Sequence, residues 1–254
     1  MRVVAHDHQL TTNANFWRTH LREIPPPDFV FASDALTPAA LQHISVRLPT
    51  ELRLLSSNGY SAATWHSFAL AAFTIYLARI TSQAQLTLGV MPTILTTALQ
   101  QPDQSGTLAP CLPLQIELDF TCTFSDVHPR VQQALNQINA HAFCAPELFA
   151  HLDLPFGAIL SDTPLNPLPA SSHALTLILA PDQMDLLFDT GRISTALASR
   201  MGLQFENLLT SLVLGPQRAL YELALVPLAE RTVILEMWNA TDTAYPLTQT
   251  LPHL

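Results

Sequence analysis

The stretch from Ala62 to Ile80 constrains this chain more than any other. Trp65, Phe68, Ala69, Ala72, Phe73, Tyr76 and Leu77 recur at helical spacing, yet they crowd most of the circumference, so a helix here has almost no polar side to turn to water. Such a helix belongs in the centre of a fold, and Ser61 stands where its N-cap would be. It is too short for a membrane span, because its longest apolar run, Ser67 to Ile80, is interrupted by Arg79 and falls below the roughly 20 residues a crossing requires. A chain of 254 residues with 48% hydrophobic content has enough material to cover it in one large domain or two small ones.

The flanking patterns alternate between strand and helix. Phe16, Trp17 and Leu21 predict a helix over Asn13 to Arg22, stopped by Pro25-Pro26-Pro27. Ile44 to Pro49 alternates as a strand, and Thr50 or Glu51 then starts a short helix ending near Asn58-Gly59. After the central helix, strands are predicted at Gln85 to Val90 and Leu112 to Leu118, with a polar stretch from Gln100 to Gly106 between them. A helix over Val127 to Phe143, a strand over Phe156 to Leu160 and a proline-rich loop from Ser161 to Ser172 follow. Ala174 to Ala180 and Met184 to Phe188, separated by Pro181-Asp182-Gln183, read as a hairpin. Ser194 to Leu214 reads as an amphipathic helix stopped by Gly215-Pro216, and a short helix around Ala229 to Met237 leads to a proline-marked tail. The alternation predicts an α/β fold with a mixed sheet and packed helices.

Charge excludes one class of function. Only 12% of residues are charged, the net charge is -9, and every basic side chain is an arginine, so the basic stripe that displaces counterions from phosphates is missing. Neither nucleic acid nor membrane is an expected partner. Three cysteines, Cys111, Cys122 and Cys144, form no CxxC pair, and no signal-like segment opens the chain, which fits a reduced, cytoplasmic setting. The chemistry-bearing residues are sparse. His6-Asp7-His8 lacks a third metal ligand nearby, Ser161-Asp162 lacks a G-x-S-x-G elbow, Cys111 and Cys144 sit in apolar sequence with no cation beside them, and His141 reads as a structural residue among apolar neighbours.

Several segments carry a resemblance when taken in order. They are Phe16-Trp17-Arg18-Thr19-His20-Leu21; Tyr76-Leu77-Ala78-Arg79-Ile80-Thr81-Ser82-Gln83 with the strand Leu86 to Gly89; Gly106 to Leu114; and His141 to Glu147. At the end come Glu230-Arg231, Trp238-Asn239-Ala240-Thr241, Tyr245-Pro246 and Leu251 to Leu254. In this order the chain resembles the C-terminal half of a condensation domain from a nonribosomal peptide synthetase, together with its linker toward an adenylation domain. Two segments depart from that family's pattern: the loop after Gly106 lacks its asparagine, and His141 to Glu147 is a weak form of its acceptor-side motif.

The resemblance implies the C-terminal lobe of a chloramphenicol-acetyltransferase-like fold, with an apolar face left uncovered where the other lobe would sit. It implies an N-terminal lead-in helix at 1–24, the lobe at 25–222 and the linker at 223–254, where Glu230, Arg231, Trp238, Asn239, Thr241, Tyr245 and Pro246 are the expected interface residues. Met1 stands just ahead of the match, as a natural start or a cut boundary would both place it. The family's catalysis is attributed to a His-His-x-x-x-Asp-Gly motif on the N-terminal lobe, which these residues do not contain. No catalytic residue, metal ligand or directly bound cofactor is therefore assigned. The implied partners are an adenylation domain, a carrier protein bearing phosphopantetheine and a separate N-terminal lobe. The first expectation is a non-catalytic platform for a following adenylation domain. The second is half of an active condensation domain, and the third, weaker, is a stand-alone acyltransferase using one of its own histidines.

Overall fold

The computed structural model describes residues 2–21, 40–52, 62–99, 108–163, 173–181 and 183–237. The elements run α1 (Arg2–His20), β1 (Leu41–Ser45), α2 (Ala62–Thr81), β2 (Gln85–Met91), α3 (Thr93–Leu99) and β3 (Leu112–Glu117). They continue with α4 (Phe124–Ala140), β4 (Phe156–Leu160), β5 (Leu175–Ala180), β6 (Gln183–Asp189), α5 (Thr195–Leu214) and α6 (Leu228–Thr232). Single 3-10 turns lie at Pro146–Phe149 and Leu220–Glu222, and a π turn at Val233–Met237 follows α6.

The helix α2 is the central element its sequence demands. Every side chain from Ala69 to Ala78 is fully buried, and the helix touches β2, β5, α4 and α5. Phe73 and Tyr76 meet Phe205 of α5 with ring centroids 5.7 and 5.4 Å apart, within the range where aromatic pairs add to simple area burial. Thr74 avoids an orphaned hydroxyl by donating to the Leu70 carbonyl at 2.8 Å.

Six strands form one mixed sheet in the order β1-β6-β5-β4-β2-β3. The central pairs β2/β4 and β4/β5 are parallel, while β1/β6, β5/β6 and β2/β3 are antiparallel. Parallel strands are covered on both faces and so read as near-continuous apolar runs. All six residues of β5 and all five of β4 are buried, as such runs require. Leu88, Ala158, Leu177 and Leu186 join α2, α4 and α5 in one core. The fold is thus the α/β arrangement that the pattern of elements called for.

The expectation of a bare apolar face is not met among the described residues. On the sheet surface turned away from that core, Ile178 is fully buried and Ile159 and Leu187 are each only 4% exposed. The chain's own groups reach this side, including His173 over β2 and β4. At the β1 edge of this same face Leu41 is 41% exposed, and large apolar side chains are exposed elsewhere at Ile94, Leu203, Val226, Leu228 and Leu235.

Several boundaries differ from those read off the sequence. The first helix runs back to Arg2 and ends at His20, because nothing upstream of the triple proline breaks it. The strand expected from Ile44 to Pro49 is Leu41–Ser45, since pairing with β6 runs only from Leu41↔Asp189 to Ser45↔Asp185 and closes with Val46 donating to the Met184 carbonyl. Helix α4 begins at Phe124 instead of Val127: Asp126 accepts from both the backbone and the hydroxyl of Thr123, a capping box that leaves Pro129 inside the helix. The short α3 was not anticipated. Residues 50–52 are helical, whereas Asn58-Gly59, Ser61, Gln100 to Gly106 and most of the loop ending at Ser172 lie outside the described residues.

Past the end of α2, Ser82 has φ 55°, the left-handed conformation that glycine takes at no steric cost. The amide of Gln83 closes this turn on the Ala78 carbonyl at 3.1 Å. Ser82→Gly is therefore expected to stabilise the fold by about 1 kcal/mol, read as a higher urea midpoint with an unchanged denaturant slope; a lower midpoint would show that the serine is not strained.

Candidate functional site

Two constellations have the residue types of nucleophilic catalysis but not its geometry. His66, Ser161 and Asp162 come together where α2 meets the end of β4. The His66 Nε2 reaches the Ser161 backbone carbonyl at 3.2 Å, while the Ser161 hydroxyl donates to the Thr163 carbonyl at 2.8 Å. Asp162 lies 3.9 Å from His66 Nδ1. The imidazole thus holds the strand end and does not activate a hydroxyl. Ser67 Oγ and His128 Nε2 are 2.9 Å apart, but the Ser67 hydroxyl donates to the Thr64 carbonyl and Ser67 is fully buried, so no substrate can reach it.

His141 is held in a stack. Its ring lies against Phe16 at 3.7 Å, Phe16 lies against His20 at 4.1 Å, and its Nδ1 meets Asn13 Oδ1 at 3.1 Å. Asn13 and Trp17 also donate to the Phe143 and His141 carbonyls at 2.8 and 3.0 Å. This weakened motif segment therefore serves as the seat of α1. A groove of about 730 Å³ between α1 and the Pro146–Phe149 turn carries Arg18 and Glu147 on its walls. His6, Asp7 and His8 fall within the span of α1, and their side chains lie outside the described residues.

The second weakened segment, around Cys111, meets the His141 to Leu154 stretch in a cavity of about 340 Å³, with Ala109 donating to the Cys144 carbonyl at 2.8 Å. His173 and Arg192 close it. His173 occupies a slot made by two glycines that are register partners on neighbouring parallel strands, Gly89 of β2 and Gly157 of β4. A Cβ at Gly157 would lie 2.1 Å from the His173 ring, and one at Gly89 2.5 Å from it. The Nδ1 of His173 faces the Leu154 carbonyl at 2.6 Å and must carry the proton, because a carbonyl only accepts. Reading the sequence missed this arrangement; its signals were Gly89 and Gly157, each a lone glycine inside a strand pattern, which often marks a close approach.

The chemistry of the cavity is muted. Burial pushes the Cys111 thiol up to about 11, and burial with Cys111 as neighbour pushes Cys144 up to about 12, so both are thiols and not nucleophilic thiolates at neutral pH. Among the described residues no group of three His, Cys, Asp or Glu side chains converges to hold a metal ion.

Of the expected interface residues, Glu230 and Arg231 lie in α6, and Glu230 pairs with Arg200 of α5 at 3.3 Å. Trp238, Asn239, Thr241, Tyr245 and Pro246 lie outside the described residues. Among those residues no helix is long and apolar enough to cross a membrane.

No family model matches the chain. Over 211 residues it is 23% identical to a component of the linear gramicidin synthase of Brevibacillus parabrevis, an alignment covering 72% of this chain and 4% of that protein. Its fold is similar to that of the X-domain solved in complex with OxyB from teicoplanin biosynthesis, with a TM-score of 0.64, 18% identity, and 89% of this chain against 58% of that one. It is also similar to the starter condensation domain of rhizomide synthetase, with a TM-score of 0.60, 14% identity, and 89% against 56%. The chain therefore has the mixed-sheet architecture of condensation domains, and it spans little more than half the length of these solved chains.

The histidines make the site testable. Gly157→Ala leaves no room for the His173 ring, and the fold is expected to lose about 1–3 kcal/mol, as overpacked cores do, while Gly202→Ala, on α5 where a Cβ would meet only Ile44 at 3.3 Å, serves as the control for a glycine-to-alanine change. Equal midpoints for wild type and Gly157→Ala would refute the slot. His66, His128, His141 and His173 are all held below the ordinary histidine value, in each case chiefly by burial. The unfolded chain, titrating near 6.5, then binds more protons than the folded one as pH falls, and stability declines from about pH 6.5 down through the folded values. The Tm should accordingly be lower at about pH 5.5 than at about pH 7.5; an equal or higher value at the acidic pH contradicts the neutral, buried assignment.

Proposed function

We propose that this segment works within a nonribosomal peptide synthetase as a condensation-like lobe without catalysis of its own, a platform for a following adenylation domain. The observation that carries this reading is the pairing of a condensation-domain architecture with histidines engaged in structural contacts. His66 holds a strand end, His128 meets a buried serine, His141 is stacked under α1 and His173 sits in a glycine slot. Amide formation from a thioester gains from a group placed to orient or accept the amine proton beside the reacting carbonyl. None of these four is presented in that way. A platform role is also in keeping with the X-domain of teicoplanin biosynthesis, a similar fold solved in complex with another protein, OxyB. Phosphopantetheine would arrive on carrier proteins as part of the substrate.

A second reading rests on the coverage: the chain accounts for 56–58% of these solved chains, leaving the share of a complementary lobe. In that case the segment is half of an active condensation domain, completed by an N-terminal lobe bearing the histidine motif.

One experiment separates them. The 254-residue chain is mixed with donor and acceptor carrier proteins loaded with aminoacyl thioesters, and dipeptidyl product is followed by mass spectrometry. The platform reading expects no product; turnover by the chain alone sinks it. Product that appears only when a histidine-bearing N-terminal lobe is added supports the second reading.

A further inference from the structure

The backbone from Ala219 to Val226 follows no regular ladder beyond a single turn and one bridge, Thr123↔Ala219, yet Leu220 and Leu223 are buried. Irregular backbone in such a place must find donors for its carbonyls. Here they come from two side chains on helices. The Nη1 of Arg79, at the end of α2, donates to the carbonyls of Leu220 at 2.6 Å and Leu223 at 3.0 Å. The Nδ2 of Asn207, on α5, donates to those of Ala224 at 3.2 Å and Val226 at 3.3 Å. Each NH2 group spends its two hydrogens on two carbonyls, and together the two side chains fasten the segment from Leu220 to Val226 at both of its ends.

The opposite polarity is met as well: the amide of Ala224 donates to Ser211 Oγ of α5 at 3.0 Å. One turn further on, Glu230 reaches Arg200, a pair whose exposed arginine makes it a weak tie by comparison. Arg79 is partly desolvated, which lowers its pKa and raises the cost of removing its acceptors.

We propose that Arg79 and Asn207 are positioning residues: together they clamp the segment 220–226 to α2 and α5, so that α6 and the π turn after it leave the lobe along one fixed course. The lobe then extends beyond Leu223, where the sequence change had suggested a linker, and the direction of the chain at Glu230 is set by two side chains of the core helices. The inference stands on these contacts and does not depend on the platform reading.

Asn207→Asp tests it with almost no change of shape, because a carboxylate has no hydrogens to give and repels the two carbonyls. Asn207→Ala removes the donors without adding charge, and Arg79→Gln opens the other half of the clamp. Amide hydrogen exchange is followed by mass spectrometry on the full chain. Exchange across 224–232 is expected to accelerate about tenfold or more in each variant while the amides of Leu70 to Leu77 keep their protection. Tryptic cleavage after Arg231 should accelerate in parallel. Unaltered exchange across 224–232 overturns the clamp. So does an acceleration spread evenly over the chain, which would mark both residues as general contributors to stability and not as positioning groups.

Discussion

Complete burial of α2 is the condition on which the rest of the structure depends. A helix with every side chain from Ala69 to Ala78 out of water gains little from helix propensity and nearly everything from what packs around it, so it exists only when sheet and neighbouring helices are in place. The six-stranded sheet supplies one wall through β2 and β5, and α4 and α5 supply the others. Even the polar groups of α2 are recruited to hold neighbours. Trp65 reaches the Ala180 carbonyl, His66 the Ser161 carbonyl and Arg79 the carbonyls of Leu220 and Leu223, so strand ends and the outgoing chain are tied to one helix.

That economy bears on function. In an enzyme active site, polar side chains are held so that some of their hydrogen-bonding capacity faces the substrate. His66, His128, His141 and His173 instead complete backbone, ring and serine contacts, and Cys111 and Cys144 are held as neutral thiols. The cavity between the segments around Cys111 and Leu154 carries Asp153, His173 and Arg192 on its walls beside the neutral Cys111 thiol. The condensation-type fold spans little more than half of the solved chains it resembles.

The legible part of the sequence was the part governed by local pattern. Strand β4 has the expected bounds, the β5–β6 hairpin turns where Pro181 breaks the run, and α5 is capped by Ser194, whose hydroxyl accepts from Leu197. What failed was set by partners distant in sequence. β1 stops at Ser45 because its pairing with β6 ends at Asp185, and no reading of residues 41 to 49 alone contains that fact. The glycine slot needs Gly89 and Gly157 brought into register by a parallel pairing, after which His173 arrives from a third segment. Glu230 and Arg231 were singled out from a motif, and Arg79 belonged to another quoted segment, but nothing in the pattern joined Arg79 and Asn207 to the segment from Leu220 to Val226 that they hold.

If α2 organises this lobe, the chain folds around it with no other lobe present. Native-state hydrogen exchange of the isolated 254 residues under increasing denaturant tests that claim most directly. The amides of Leu70 to Leu77 are predicted to be the slowest in the molecule and to open only in the global unfolding transition, with the same free energy and denaturant dependence as the whole fold. If those amides instead exchange readily in water, or open at lower free energy than the edge strands β1 and β3, then α2 is not the element around which the lobe is built and the claim is wrong.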